Sequence, residues 1–286
     1  MCSSDLIINL SIDTSALFNF ENGIFIPGRN FDSINPEWTG NYHMKGKSWE
    51  RKTKLTYLDE NLNLLINDTL DLRIHGLRTP IAPQKSLRIY SRKHPIKNYF
   101  FKERSYQEIS RFILRSPFSA WGNSLLNDII VTEIAKPLNI ETMHFQPSLV
   151  YINGEYWGLY NLRERIDEYY IASLFKLKRD SIHIIDGRYK VKKGSLDEWN
   201  PLWKIVESDT MMHDTTYAKV RELLDIESFI DYNIAEIFFS NFDWPGNNMV
   251  SWKPTNKGKW RYLFYDLDAT LQNYKRDNMK IGRAHV

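Results

Sequence analysis

Two clusters toward the C-terminal end of the chain hold the residues best suited to chemistry. Residues 241–248 read N-F-D-W-P-G-N-N, and residues 265–270 read Y-D-L-D-A-T. An apolar segment with helical spacing leads into the first cluster, and a strand-like segment, residues 260–265, leads into the second. Asp243, Asn248 and Asp266 therefore fall in loops at the ends of regular elements. Carboxylate and amide oxygens placed this way suit Mg2+, a hard cation that takes one or two carboxylates and completes its shell with phosphate oxygens and water. The alternative is a pair of ordinary turns, because Asn, Asp, Gly and Pro are common turn residues. Spacing alone leaves both open.

The elements around these loops are legible to different degrees. Asp225 is a good N-cap, and Phe229, Ile230, Ile234, Ile237 and Phe238 follow at helical spacing, which predicts a helix facing the core and ending at Asn241. Trp252, Trp260, Tyr262 and Phe264 outline a hairpin leading to Asp266. Residues 69–74 and 87–90 alternate as strands around an irregular basic loop, residues 75–86, with Gly76, Arg78 and Lys85. Such a loop can wrap phosphates, or it can be a surface hairpin with solvated cations. Residues 23–27 and 52–58 also predict strands. Residues 103–115 and 123–137 are predicted helical, the second with Leu125, Ile129, Ile130 and Ile134 on one face. Glu133 on that helix is either a partner for Lys85 or exposed.

Residues 148–162 form the clearest hairpin. Asn153-Gly154 fits a type I′ turn, in which both residues take positive φ, and Trp157-Gly158 marks a bulge or a close backbone approach. The strand runs into R-E-R-I-D at residues 163–167, then a helix over residues 169–175. This is either a hinge-like crossover or a charged linker. The chain thus passes from a strand-rich first part to a helix-rich second part.

Composition bounds the function classes. With 42% apolar residues in 286, there is ample core for one large or two-lobed domain. A net charge of +3 argues against a dedicated nucleic-acid binder. No apolar run approaches the ~18 residues of a membrane span. Residues 1–6 (MCSSDL) and 280–286 (KIGRAHV) read as translations of a sequencing adapter and are set aside. Cys2, the single cysteine, and His285 therefore carry no weight, and the natural termini are expected to lie elsewhere.

Several separated motifs agree with one another. Protein kinases place a catalytic Asp and, five residues on, a metal-binding Asn, followed by a second metal-binding Asp after a later strand. Asp243, Asn248 and Asp266 share that order and spacing. Together with G-x-F-x-P-G at residues 23–28, N-Y-x-x-K-G-x-x-W-E-R at 41–51, H-G-(x)6-P-Q-K-S-L-R-I-Y at 75–90 and I-N-G-E-Y-W-G-L-Y-N-L-R-E-R-I-D at 152–167, they make the chain resemble the CotH kinase family. These are atypical protein kinases named for a bacterial spore-coat protein, and the resemblance covers residues 20–275.

The resemblance implies an α+β, divergent protein-kinase-like two-lobed fold. It would be a single domain over residues 7–279, with a strand-rich lobe at about 7–165 and an incomplete helix-rich lobe at 166–279. It implies transfer of the ATP γ-phosphate to Ser or Thr of a Ser-rich protein substrate, with Mg2+ or Mn2+. Asp243 would be catalytic. Asn248 and Asp266 would hold metal, and Asp268 would be a further ligand or a brace. Lys85, Arg78 and Glu164 would serve the nucleotide. An exported, cell-surface or spore-envelope location is also implied. The chain departs from the family in having Pro80 where a loop Arg usually falls, only a partial match at Ala120-Trp121-Gly122-Asn123, and Trp244-Pro245 after the catalytic Asp. Two other readings stand beside this one: a non-catalytic surface-binding protein on a kinase-like fold, and a metal-dependent phosphodiesterase.

Overall fold

Alternating burial along residues 51–58, where Thr53, Leu55 and Tyr57 are buried and their neighbours are not, is the pattern of a strand with one covered face. It recurs along most of the first half of the chain. The computed structural model describes residues 6–117, 126–208, 213–255 and 258–272. In chain order the elements begin with β1 (Leu6–Ser11), α1 (Thr14–Phe18), β2 (Arg51–Leu58), β3 (Leu64–Ile74), β4 (Leu87–Tyr90), β5 (Ile96–Lys97), β6 (Glu108–Ile109) and β7 (Arg111–Arg115). There follow α2 (Asn127–Ala135), β8 (Glu141–Thr142), β9 (Phe145–Ile152), β10 (Glu155–Arg163), α3 (Glu168–Phe175), β11 (Ile182–Asp186) and β12 (Lys190–Lys193). The last are α4 (Asn200–Val206), α5 (Asp214–Leu223), α6 (Ile226–Phe238), β13 (Val250–Pro254) and β14 (Arg261–Phe264). The protein is α+β.

The chain divides into two compact units. The first comprises residues up to Leu125 together with His144–Arg165. Its centre is a closed barrel of strand order β1-β2-β3-β4-β7-β10-β9. All neighbours are antiparallel except β1 and β9, whose parallel pairing closes the ring. Ile8, Leu10, Leu55, Leu72, Ile89, Phe112, Leu114, Val150 and Leu162 fill the interior. Closure removes the unpaired edges that an open sheet would expose.

The second unit comprises Leu126–Met143 and the residues from Ile166 onward. It holds a five-stranded sheet of order β12-β11-β13-β14-β8 and helices α2 to α6. Trp199, Trp260, Tyr232, Tyr262 and Phe264 are buried in its core, and Tyr232 stacks on Tyr262 with ring centroids 4.8 Å apart.

The β9–β10 hairpin forms as its sequence predicts. Asn153 and Gly154 take φ of 53° and 83°, and the Asn153 side chain accepts from Ile12 N at 2.8 Å, tying the turn to β1. The register shifts between Tyr156 and Gly158, so the predicted bulge is present. The α3 and β13–β14 elements also lie where the pattern places them.

Three expectations are corrected. Residues 103–115 carry β6 and β7, not a helix, because Phe112 and Leu114 point into the barrel while β7 pairs with both β4 and β10. Residues 23–27 form turns, with the Gly23 and Phe25 amides bonded to Asn19 and Leu17 carbonyls, and make no strand. On α6 the apolar stripe read from sequence faces outward: Phe229, Ile230, Ile234 and Phe238 are exposed, while Ser228, Tyr232, Ala235 and Glu236 are buried. On α2 the predicted face is split, with Ile129 buried but Ile130 and Ile134 exposed, while Asn127, Asp128 and Thr132 are buried. Leu6 opens β1, whereas residues 1–5, 280–286 and the partial match at 120–123 lie outside the described residues. Among the described residues no helix is long and apolar enough to cross a membrane.

Gly158 has φ of 137°, a backbone region that L side chains rarely adopt, and a Cβ there would meet Gln84 Nε2 at 2.7 Å. That amide donates to Leu159 O at 2.7 Å. Gly158→Ala is expected to destabilise the protein by about 2 kcal/mol, read as a lower denaturant midpoint at unchanged m-value. An unchanged midpoint would contradict the bulge geometry.

Candidate functional site

The first acidic loop begins where α6 ends. Asn241 N donates to Glu236 O at 3.1 Å, turning the chain out of the helix. Asn241 is fully buried. Its amide donates to Glu236 Oε2 at 2.8 Å and its Oδ1 accepts from Asp243 N at 3.2 Å. A buried side-chain pair thus sets the backbone of Asp243. The Asp243 carboxylate is held in turn by Asn247 Nδ2 at 2.9 Å on one oxygen and by Asn248 Nδ2 at 3.2 Å on the other. Trp244 is buried in the core and pins the loop between Asp243 and Asn248.

The second loop follows β14. Asp266 takes φ of 62° and Asn248 takes φ of 60°. Both lie in the left-handed region, where Asn and Asp are the least disfavoured residues after Gly. α2 braces this loop with its buried polar face: Asn127 Nδ2 donates to Thr270 O at 3.0 Å, and Asp128 Oδ1 accepts from Leu267 N at 3.2 Å. The two loops bond to each other directly, Phe242 N to Ala269 O at 3.3 Å and Leu271 N to Phe239 O at 2.9 Å. Tyr265 senses the surrounding acids. Burial first, then the charges of Asp186, Asp266 and Glu236, push its phenol far above the usual range.

The donor chemistry fits a hard divalent cation. Asn248 spends its amide N–H on Asp243, which leaves its Oδ1 as an acceptor, and the neighbouring loop contributes the Asp266 carboxylate. One carboxylate and an amide oxygen match Mg2+ or Mn2+ that also take water and phosphate oxygens. Among the described residues no group of three or more His, Cys, Asp or Glu is arranged around a metal position, so this set would depend on such outside ligands.

The remaining predicted residues belong to the first unit. Lys85 is 4% exposed. Its ammonium donates to Pro80 O at 2.6 Å and Ala82 O at 3.0 Å and lies 4.4 Å from the centroid of the Tyr42 ring. Burial lowers its pKa to about 8. The head group therefore holds its own loop in shape. Arg78 is exposed, donates to Glu37 at 3.0 Å and lies over Trp38. Glu164 is buried in a fork with Arg104, at 2.8 and 2.6 Å, and accepts from Tyr106 and from His144 N. Glu133 is exposed and pairs with Lys136 of its own helix at 2.7 Å.

Sequence reading missed Glu236, Asn127 and Asp128. The available signal was a polar residue between apolar ones on each helix, which periodicity assigns to the solvent side.

Burial pushes the Glu236 carboxyl up to about 7, against the opposing pull of the Asn241 amide. Its ordinary value is 4.5. Between these values the folded protein keeps a proton that the unfolded chain has released, so stability falls as pH rises through this window. Glu236→Gln removes that dependence and keeps an acceptor for Asn241. Relative to the variant, wild type is expected to lose about 3 kcal/mol of stability between about pH 4.5 and about pH 7. Melting curves at about pH 5 and about pH 8 check this, and an equal difference at both would contradict it.

No curated protein matches the chain. A comparison with protein-family models matches residues 72–285 to the family described as CotH kinase protein. That span holds both acidic loops and the greater part of each unit, and on it the chain belongs to the CotH kinase family.

Proposed function

We propose that the protein is a metal-dependent kinase that transfers the γ-phosphate of ATP to a serine or threonine hydroxyl of a protein substrate. The observation that carries this reading is the pair of bonded loops. One presents Asp243 with its carboxylate held by two amides, and the other presents Asp266 in a left-handed turn. In this reading the barrel unit is the strand-rich lobe and the second unit the helix-rich lobe of a divergent kinase-like fold.

Asp243 acts as the base. Its carboxylate accepts the hydrogen bond of the acceptor hydroxyl and takes the proton as that oxygen bonds to the γ-phosphorus. The bond from the γ-phosphorus to the bridging oxygen breaks, and ADP leaves with those electrons. Asn247 and Asn248 fix the carboxylate's rotation, and Asn241 fixes its backbone. Asn248 and Asp266 would hold Mg2+ or Mn2+, which when bound neutralises charge on the phosphate oxygens. Lys85 maintains the loop at residues 75–86 from within, Arg78 is that loop's outward cation, and Glu164 stiffens the end of β10. We assign these three to the nucleotide side. Most of the acceleration would come from positioning and charge stabilisation. The substrate class expected from the family is a Ser-rich protein, at the cell surface or in a spore envelope.

A second reading, a non-catalytic surface-binding protein, draws on the exposed apolar side chains of α6, Ile230, Ile234 and Phe238.

The test is incubation with γ-labelled ATP and Mg2+ or Mn2+, with and without a Ser-rich acceptor, beside Asp243→Ala and Asp266→Ala. Wild type is expected to transfer label. Each variant is expected to be slower by roughly several hundredfold, the equivalent of ~3–4 kcal/mol of lost transition-state stabilisation. Wild-type transfer by Asp266→Ala would remove Asp266 from the mechanism. Failure of the wild type to bind ATP with metal present would favour the surface-binding reading.

A further inference from the structure

The outer wall of the barrel carries a group of guanidinium side chains that the reading above does not use. On β3 and β4 the inward residues are Leu72, Ile74, Leu87 and Ile89, so Arg73 and Arg88 point outward, and they are direct cross-strand partners. Like charges placed opposite each other on neighbouring strands destabilise a sheet, yet neither has a carboxylate within ion-pairing distance among the described residues. Arg88 Nε donates instead to His75 Nδ1 at 2.6 Å, which makes His75 an uncharged acceptor. Arg73 Nη2 reaches the Tyr90 hydroxyl at 3.4 Å, and its Nε is buried with no hydrogen-bond partner.

More cations converge on the same wall. The Tyr90 ring has the guanidinium carbons of Arg92, Arg111 and Arg165 within 4.6, 5.8 and 5.5 Å of its centroid. Of the nearby acids, Glu50 neutralises Arg92 within this group, whereas Asp71 and Glu164 pair with cations outside it. Asp71, opposite Tyr90, pairs with Lys52 at 2.7 Å, and Glu164 pairs with Arg104. Burial, and then the charges of Arg88, Arg115, Arg165 and Arg73, hold His75 well below its usual range, as expected of an imidazole set among cations.

We propose that this wall is an oxyanion site, in which Arg73 and Arg88 bind the oxygens of a phosphate chain. Planar guanidinium forks donate two parallel hydrogen bonds to phosphate, and several of them suit a multiply charged phosphate better than a single carboxylate. His75 holds the Arg88 plane by accepting from Nε, and the Tyr90 hydroxyl is the other hydrogen-bonding neighbour of that guanidinium. Lys85, whose ammonium is taken up by its own loop, leaves the phosphate charge to be met by these arginines. The identification of the anion as the polyphosphate of ATP rests on the kinase reading, whereas the oxyanion site does not.

The test is calorimetric titration of the full chain with inorganic pyrophosphate and, separately, with ADP, both without divalent metal. Wild type is compared with Arg73→Gln and Arg88→Lys, the latter keeping the charge but losing the fork. Both variants are expected to bind pyrophosphate about tenfold more weakly, or worse, with melting temperature little changed. If Arg88→Lys does not fold, Arg73→Gln decides. Tighter binding of ADP than of pyrophosphate, lost equally in the variants, assigns the wall to a nucleotide. Equal affinity assigns it to a phosphate anion alone. Pyrophosphate binding that both variants retain, or no binding by wild type, would overturn the proposal. Nucleotide binding that survives both substitutions would overturn it while leaving the kinase reading intact. Loss of label transfer with intact pyrophosphate binding would do the reverse.

Discussion

A buried hydrogen bond between Glu236 and Asn241 sets the geometry on which the acidic loops depend. The carboxyl sits inside an aromatic core, where a charge is costly unless partnered. Its Asn241 partner also receives the Asp243 amide, so one side chain links the helix end to the backbone of the proposed base. α2 repeats the device for the other loop, with Asn127 and Asp128 capping backbone groups around residues 267–270. Both helices therefore turn polar residues inward. The loops they serve are then tied together by two backbone bonds, and Asp243 and Asp266 are presented from a framework fixed on both sides. Glu236 Oε1 stays buried without a hydrogen-bond partner in this network, and an unpaired buried group costs about 1–3 kcal/mol.

This arrangement explains which parts of the structure were legible in the sequence. The β9–β10 hairpin was, because Asn153-Gly154 supplies the two positive φ angles a tight turn requires and the flanking alternation fixes the register. The strands around residues 75–86 were legible for the same reason. The closure of seven strands into a barrel was not, since a parallel β1–β9 pairing leaves no local mark. Residues 111–115 misled because the three-residue apolar run Phe112–Leu114 fits either period, and pairing on both sides decided for strand. On α2 and α6 the helix was visible, but most of the apolar residues read as facing the core lie outside, Ile129 and Ile237 being the ones that pack inward. Periodicity assumes that apolar residues face inward, whereas here the inward face is chosen by the backbone groups it must cap.

The candidate site divides along the same line. Asp243, Asn248 and Asp266 could be picked out because their order and spacing match the catalytic Asp, metal-binding Asn and later metal-binding Asp of protein kinases. Lys85 stood out by motif, yet its chemistry depends on Pro80 and Ala82 carbonyls that only the folded loop brings to it. Glu164 likewise reads as a charged residue in a charged run and proves to be a buried partner of Arg104. The guanidinium wall was invisible for a different reason: Arg73, Arg88, Arg111 and Arg165 are scattered in sequence and meet only through strand register.

The proposed kinase reading requires the two acidic loops to form one metal-dependent nucleotide site. Electron paramagnetic resonance of Mn2+ titrated into the protein with a non-hydrolysable ATP analogue tests it directly. A bound Mn2+ signal is expected that requires the analogue and is lost, with weakened analogue binding, in Asp266→Ala. Mn2+ that stays free in the presence of the analogue, or that binds equally well without Asp266, would contradict it.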